Sequence, residues 1–146
     1  MLRWLLFPFS LIYSIIIFFR NKFYDYDFFK QHDFDIPLIS VGNITVGGTG
    51  KTPHIEYLVS LLRDKFKVAT LSRGYKRKTS GFVIAGEKTS EREVGDEPKQ
   101  MKNKFPDIVV AVDENRVRGV DKLLSGEKTG SVNVVLLDDA FQHRRI

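Results

Sequence analysis

The sequence predicts an α/β fold in which a mostly parallel sheet is flanked by helices. From residue 37 onward, short apolar runs rich in valine, isoleucine and leucine alternate with segments of helical periodicity, as in consecutive βαβ units. A glycine-rich stretch follows the first apolar run, and two adjacent aspartates end the last one. The carboxyl ends of parallel strands meet at one edge of a sheet, so we expect both features to lie there.

The amino-terminal segment from Trp4 to Phe19 is apolar and carries no charged residue. As a helix it would cover roughly 24 Å, less than the ~30 Å hydrocarbon core of a bilayer. Pro8 is expected to begin or kink this helix. Because the run is apolar on every side, we expect it to be buried rather than half-exposed.

Three interpretations of this segment compete. A secretory signal fits the charged start, but no small-residue cleavage site follows. A buried core helix suits so short a run. Membrane insertion, as a short spanning or re-entrant helix, is favoured because the aromatic residues resemble interfacial anchors, namely Trp4, Tyr13, Phe23, Tyr24 and Tyr26.

The glycine-rich stretch follows Leu38–Val41, which we predict to be the first strand. It consists of Thr45, Val46, Gly47, Gly48, Thr49, Gly50, Lys51 and Thr52. Glycines let backbone N–H groups converge on phosphate oxygens, and the following helix N-terminus adds a favourable dipole. In such a loop the lysine reaches the terminal phosphates and the last hydroxyl ligates Mg²⁺. Thr45 replaces the usual glycine, so a chance Gly-Lys-Thr turn is the alternative.

The segment after this loop is predicted to be a helix over residues 53–65. Ile55, Leu58, Val59 and Leu62 recur at helical spacing, and Pro53 suits a first helical turn. Strand, glycine-rich loop and helix together predict a P-loop NTPase-like domain that binds a nucleotide. The remaining strands are expected at residues 68–71, 81–86, 108–112 and 132–137, the remaining helices at 98–104 and 116–124, and a polar loop at 87–93.

The last predicted strand ends in Asp138 and Asp139. In P-loop enzymes a strand near the loop ends in an acid that holds magnesium, and hard oxygen ligands suit Mg²⁺. Thr52, Asp138 and Asp139 are therefore the predicted metal ligands. A solvated Asp-Asp turn is the alternative.

Further charged residues lie near predicted strand ends, where ligands gather in such sheets. Arg73 follows the second strand, Asp96 precedes a helix, and Arg116 follows the strand at 108–112. Each has a structural alternative: Asp96 could cap its helix, and Arg116 could lie on a helix surface. A single histidine such as His143 is more often structural than catalytic.

Composition narrows the classes of partner. The net charge is +5, and the whole excess falls in residues 37–146, which favours an anionic ligand. Nucleic acid ranks low, because aromatic and basic residues are not interleaved in that region. The absence of cysteine excludes disulfides, thiolate metal sites and a cysteine nucleophile.

With these residues in view, the chain resembles the amino-terminal part of the tetraacyldisaccharide 4'-kinase (lipid A 4'-kinase) family of Gram-negative bacteria. The matching segments follow the family's order and are residues 41–53, 71–75, 94–98 and 137–143. Thr45 is usual in this family. The resemblance implies transfer of the ATP γ-phosphate to the 4'-hydroxyl of an acylated glucosamine disaccharide 1-phosphate, giving lipid IVA at the cytoplasmic face of the inner membrane.

The resemblance also implies roles for single residues. Residues 45–52 would hold ATP, with Lys51 taking part in catalysis. Asp96 would help to activate the acceptor hydroxyl, and Asp138 and Asp139 would serve magnesium and the active site. Phosphate or sugar binding would involve Arg73, Arg116 and His143.

For the domain organisation we expect a membrane-associated helix at residues 1–24, a linker at 25–36 and a P-loop kinase domain at 37–146. The resemblance implies that this domain is incomplete, because family members continue beyond it. Two alternative functions stay open: a membrane-associated P-loop ATPase of the partitioning or targeting kind, and a non-catalytic nucleotide-binding module. A GTPase is disfavoured, because Asn103-Lys104-Phe105-Pro106 lacks the final aspartate of a guanine-reading motif.

Overall fold

The computed structural model describes residues 2–26, 28–29, 31–42, 50–127 and 129–140, with the backbone alone for residues 2–6. The described residues form two compact units. One unit extends to Asp33 and the other begins at Phe34.

The first unit is built on the helix α1 (Leu2–Asp25), which is 24 residues long. Pro8 lies inside this helix, so the expectation that Pro8 begins it is wrong. After α1 the chain turns back, since the backbone N–H groups of Phe28 and Phe29 donate to the carbonyl of Phe23 at 2.9 and 3.1 Å. The rings of these three phenylalanines then pack on one another.

The apolar side chains of α1 are largely exposed. Phe9, Tyr13 and Ile16 are 68%, 65% and 58% exposed, so the described residues do not bury this run in a protein core. Across the described residues, no helix is both long enough and apolar enough to cross a membrane.

The second unit is a five-stranded sheet. Its strands are β1 (Leu38–Val41), β2 (Val68–Ser72), β3 (Val83–Ile84), β4 (Val109–Val112) and β5 (Val134–Asp138). Their spatial order is β1-β5-β2-β4-β3, and only β3 runs antiparallel to its neighbour. The predicted mostly parallel sheet is confirmed.

Four helices accompany these strands in the described part of the unit. They are α2 (Lys51–Leu62), α3 (Glu91–Val94), α4 (Asp96–Lys104) and α5 (Arg116–Leu124). The bounds of β1 and α5 agree with the sequence prediction, whereas α2 and α4 each begin two residues earlier than expected.

The polar stretch at 87–93, expected to be a loop, partly forms the one-turn helix α3. A capping box stabilises this turn: the Ser90 side chain accepts from the backbone of Glu93, and the Glu93 carboxylate accepts from the backbone N–H of Ser90. So short a helix has no apolar periodicity, which is why the sequence pattern did not reveal it.

The core lies along the interior strands β5, β2 and β4, and burial is most complete on β2 and β5. Residues 68–71 and 134–137 are all buried, as expected for parallel strands covered on both faces. Ile55 and Val59 of α2 are buried in this core. Gly119 of α5 lies so close to β2 that a Cβ there would meet Leu71 Cδ2 at 2.7 Å. This packing fixes both helix N-termini at the carboxyl edge of the sheet.

Candidate active site

The centre of the site is a contact between Lys51 and Asp139. Lys51 is the first residue of α2, after Gly50 in the left-handed region with φ +74°. Its Nζ donates to Asp139 Oδ1 at 2.6 Å. This hydrogen bond raises the pKa of Lys51, assisted by the charges of Asp139 and Asp138 and opposed by burial. Lys51 is therefore a firmly charged ammonium at the start of a helix.

Sheet register explains how Asp139 reaches this position. β5 lies directly beside β1, with Asp138 opposite Val41. The backbone N–H of Asp139 donates to the carbonyl of Val41 at 2.9 Å, and Asp139 itself adopts a left-handed conformation with φ +53°. The acids that end β5 are thereby held beside the strand that leads into the glycine-rich stretch.

A small cavity of about 20 Å³ lies next to this pair. Its wall combines apolar side chains, among them Ile55 and Met101, with the oxygen-bearing side chains of Thr52, Ser72, Glu97 and Asp138. Such a volume holds about one water molecule or ion. Burial, reinforced by the neighbouring Glu97 carboxylate, raises the pKa of Asp138 to about 6. The Asp138 carboxylate is thus poorly hydrated and has the negative charge of Glu97 near it, an arrangement that favours a cation there.

The chemistry of this cavity fits magnesium. Its donors are oxygens, the ligands that Mg²⁺ prefers together with retained waters. Among the described residues, Ser72 Oγ is buried without a hydrogen-bond partner, as expected where a bound water or ion would supply one. Within the described ranges, no three carboxylate, histidine or cysteine side chains form a metal-binding group by themselves. The fit therefore depends on Thr52 Oγ1 as well as on the acids.

Glu97 is the residue that the sequence interpretation missed. It stands in the segment Gly95-Asp96-Glu97-Pro98, yet only Asp96 was assigned a role. Because α4 begins at Asp96, Glu97 falls in its first turn, beside the cavity. Pro98 was the signal in the sequence that could have revealed Glu97. Because proline suits the first turn of a helix, the helix could be expected to begin before Pro98 and to include Glu97.

Asp96 is exposed at the first position of α4. The preceding residue, Gly95, occupies the N-cap position with φ +94° and ψ 161°, so the alternative in which Asp96 caps the helix is wrong. An exposed carboxylate at a helix N-terminus is available to a ligand.

Arg116 is buried, with 5% of its surface exposed, so the alternative that places it on a helix surface is wrong. Its Nη1 donates to the carbonyl of Asp113 at 2.8 Å and its Nη2 to the carbonyl of Asp138 at 3.1 Å. Burial lowers the pKa of Arg116, and the charge of Arg73 contributes to this lowering. Arg73 itself is exposed after β2. Arg116 thus fixes the end of β5, from which Asp138 and Asp139 project.

The remaining predicted site residues lie outside the described residues. They are Thr45, Val46, Gly47, Gly48, Thr49 and His143.

The fold and the site together define an α/β protein with a mostly parallel sheet whose carboxyl edge combines a charged lysine, paired acids and a small cavity with several oxygen-bearing side chains. Comparison with known proteins narrows this class. The family model for tetraacyldisaccharide-1-P 4'-kinase matches residues 2–146. The chain belongs to this family.

Individual relatives agree with the family match. The tetraacyldisaccharide 4'-kinase of Parabacteroides distasonis is 54% identical over 97% of this chain and 38% of its own length. That of Phocaeicola vulgatus is 56% identical over 99% of this chain and 39% of its own length. The chain therefore spans about two fifths of the length of these curated relatives.

A solved structure is also similar. The crystal structure of an "apo" form of LpxK from Aquifex aeolicus in complex with ATP superposes with a TM-score of 0.86 at 48% identity. The match covers 99% of this chain and 46% of that one.

Proposed function

We propose that this chain acts as part of an ATP-dependent kinase that phosphorylates the 4'-hydroxyl of an acylated glucosamine disaccharide 1-phosphate. The product would be lipid IVA, an intermediate of lipid A and hence of lipopolysaccharide biosynthesis. The observation that carries this proposal is the gathering of Lys51, Thr52, Asp138 and Asp139 at one sheet edge, in a chain whose relatives are named for this reaction.

Residues 45–52 are proposed to hold the phosphates of ATP. The positive φ of Gly50 turns the chain into α2, so the first amides of the helix and its dipole face the incoming anion. Lys51 follows at once and carries a charge made more secure by its neighbouring acids. An ammonium at this position neutralises the charge that develops on the transferred phosphoryl group.

Magnesium is proposed to bind at Thr52, Asp138 and Asp139. When bound, the ion would neutralise phosphate charge and orient the transferred group. The protein's own contribution is to hold these oxygens ready. Asp138 is fixed through its backbone by Arg116, and Asp139 through its backbone by Val41.

Asp96 is proposed to accept the proton of the acceptor hydroxyl. A carboxylate within hydrogen-bond reach of an alcohol is the usual base in such transfers. Asp96 is exposed beside Glu97, so it is accessible to an acceptor that approaches the cavity. Arg73, exposed after β2, is proposed to contact the phosphate or sugar of that acceptor. The same role is proposed for His143, and Arg116 would act beside them.

The acyl chains of such a substrate stay in the bilayer, so a lipid surface at the cytoplasmic face of a Gram-negative inner membrane is the proposed location. The exposed phenylalanine, tyrosine and isoleucine side chains of α1 support this, because exposed apolar surface of this extent is typical of an interaction site. Arg20 and Lys22 near the end of α1 would suit anionic headgroups.

The direct test uses the full-length gene product with γ-labelled ATP, Mg²⁺ and the purified disaccharide 1-phosphate in detergent. We expect label in the lipid. Label only in free phosphate would instead favour an ATPase of the partitioning or targeting kind, and bound nucleotide without turnover would favour a binding module. Either result would contradict the kinase proposal.

A further inference from the structure

The loop between β2 and β3, residues 74–81, packs backbone against backbone on the turn that precedes α4. A Cβ at Gly74 would lie 2.9 Å from the carbonyl oxygen of Val94, and one at Gly95 would lie 2.9 Å from that of Tyr75. Two glycines with positive φ, +72° and +94°, make this close approach possible. The backbone N–H of Lys78 also donates to the carbonyl of Arg92 at 2.7 Å. The position of this loop therefore determines where α4 starts.

The side chain of Arg77 holds the loop in shape from within. It is 5% exposed, and its Nη2 donates to the carbonyl of Gly81 at 2.8 Å. The same guanidinium pairs with the carboxylate of Glu114 and donates to Thr79 Oγ1 at 3.4 Å. A buried guanidinium that is satisfied on several sides fixes the geometry of its partners, since its planar donors have fixed directions.

Glu114 connects this loop to α5. It accepts from the backbone N–H of Gly81 at 3.0 Å and from Arg118 Nη2 at 2.9 Å. Arg118 in turn donates to both carboxylate oxygens of the fully buried Asp113, at 2.9 and 2.6 Å. The 74–81 loop thus bridges the start of α5, which carries Arg116, and the start of α4, which carries Asp96 and Glu97.

We infer that Arg77 is a positioning residue that sets the place of Asp96 and Glu97 through the 74–81 loop. The catalytic consequence of the position of Asp96 and Glu97 rests on the proposed function. Arg77 need not touch a ligand: it acts through the backbone contacts of Gly74 and Tyr75 with Val94 and Gly95. Without its guanidinium, Glu114 loses a cation and the loop loses its internal donors, so α4 loses the surface against which it starts.

The test compares Arg77→Met with Arg63→Met in the full-length gene product. Both changes remove a guanidinium paired with a carboxylate, but Arg63 pairs with Asp107 at 3.3 Å, at the end of α2 remote from the site. For Arg77→Met we expect kcat for transfer to the lipid acceptor to fall about ten- to a hundredfold, as for a displacement of about 1 Å. The Kd for Mg-ATP, which reports the Lys51 side of the site, should stay within about twofold of the unsubstituted protein. Arg63→Met should change neither quantity.

Hydrogen exchange gives a readout that does not depend on activity. The amides of Gly95 and Lys99 are hydrogen-bonded to Glu91 and Gly95 at 2.7 and 3.2 Å. They should exchange faster in Arg77→Met, whereas amides in α2 keep their protection. Arg77→Lys keeps the charge but not the planar donors. Its exchange rates at these amides should lie between those of the unsubstituted protein and those of Arg77→Met. If Arg77→Met does not fold, Glu114→Gln removes the same pairing and takes its place.

The outcomes separate the two claims. Faster exchange at Gly95 and Lys99 with unchanged Mg-ATP affinity supports the positioning role, even if the unsubstituted protein transfers no phosphate and the proposed function fails. Exchange at these amides equal to that in Arg63→Met overturns the positioning role. Where the unsubstituted protein does transfer phosphate, an equal transfer rate in Arg77→Met also overturns it.

Discussion

Lys51 and Asp139 are joined by a 2.6 Å hydrogen bond although 88 positions separate them along the chain. The contact exists because β5 pairs with β1, so the chain that enters the glycine-rich stretch and the acids that end the last strand share one edge. A parallel sheet brings such distant segments together through its strand order. This adjacency is the basis of the proposed ATP and magnesium site.

Replacing Lys51 tests the nucleotide side of this site. Lys51→Ala removes the ammonium at the start of α2, and we expect the Kd for Mg-ATP to rise at least tenfold, equivalent to about 1.4 kcal/mol. A fluorescent ATP analogue displaced by Mg-ATP measures this. The matched control is Lys65→Ala, an exposed lysine just beyond the other end of the same helix. Equal affinities in the two variants would show that Lys51 does not hold the phosphates.

Replacing Asp96 tests the acceptor side. Asp96→Asn keeps the size of the side chain but removes its basicity, so kcat for lipid phosphorylation should fall by a factor on the order of 10²–10⁴. Mg-ATP affinity should stay unchanged, because the proposed nucleotide contacts lie on α2. Asp64→Asn, at an exposed aspartate, serves as control. Full activity in Asp96→Asn would require another base.

Gly95 is expected to tolerate no side chain. Its φ of +94° and ψ of 161° lie in a region that essentially only glycine occupies, which costs other residues roughly 1–3 kcal/mol. An added Cβ would also meet the Tyr75 carbonyl oxygen at 2.9 Å. Gly95→Ala should therefore lower the free energy of urea-induced unfolding by about 2 kcal/mol or more.

The control for this change is Gly126→Ala. Gly126 also has a positive φ, +67°, but the nearest atom to its added Cβ is 3.6 Å away. In Gly126→Ala the free energy of unfolding should fall by roughly 1 kcal/mol, the cost of a left-handed backbone alone. Equal losses in the two variants would mean that the contact between Gly95 and Tyr75 adds nothing.

We expect Glu114 to make the free energy of unfolding depend on pH in the acid range. Hydrogen bonds from its own backbone N–H and from that of Gly81, aided by Arg118 and Arg77, lower the pKa of Glu114 to about 2. Because this pKa is lowered, the stability that the Glu114 carboxylate contributes is complete above its ordinary pKa of 4.5. It is lost as pH falls toward 2. The unsubstituted protein should thus exceed Glu114→Gln in unfolding free energy at pH 7 and 5, by an amount that shrinks at pH 3.

Glu127→Gln, at an exposed glutamate after α5, supplies the reference for removing a surface charge. A difference between unsubstituted protein and Glu114→Gln that stays constant from pH 7 to pH 3 would contradict the assigned hydrogen bonds.

Much of the sheet was predictable because its signals are local. Uninterrupted apolar runs such as that at residues 134–137 indicated buried parallel strands, and Arg116–Leu124 showed a clear helical stripe. That Lys51 and the acids ending β5 share one edge also followed from the rule that ligand-binding residues meet at the carboxyl edge, whereas their direct contact was not predicted.

The missed features depend on tertiary contacts. The sequence left open whether Arg116 lies on a helix surface, and its burial depends on the carbonyls of Asp113 and Asp138, which accept from its guanidinium. Glu97 lies beside the cavity because α4 begins at Asp96, two residues before the predicted start. The network around Arg77 joins two loops that are far apart in the chain, so no periodic pattern could reveal it.

The most direct test of the central claim is calorimetric titration of ATP into the full-length gene product, with Mg²⁺ and again with excess chelator. We expect saturable binding heat with Mg²⁺, much weaker binding without it, and loss of that difference in Asp138→Asn. No binding heat with Mg²⁺, or equal affinity in both buffers, would contradict a magnesium-bridged nucleotide between Lys51 and the acids that end β5.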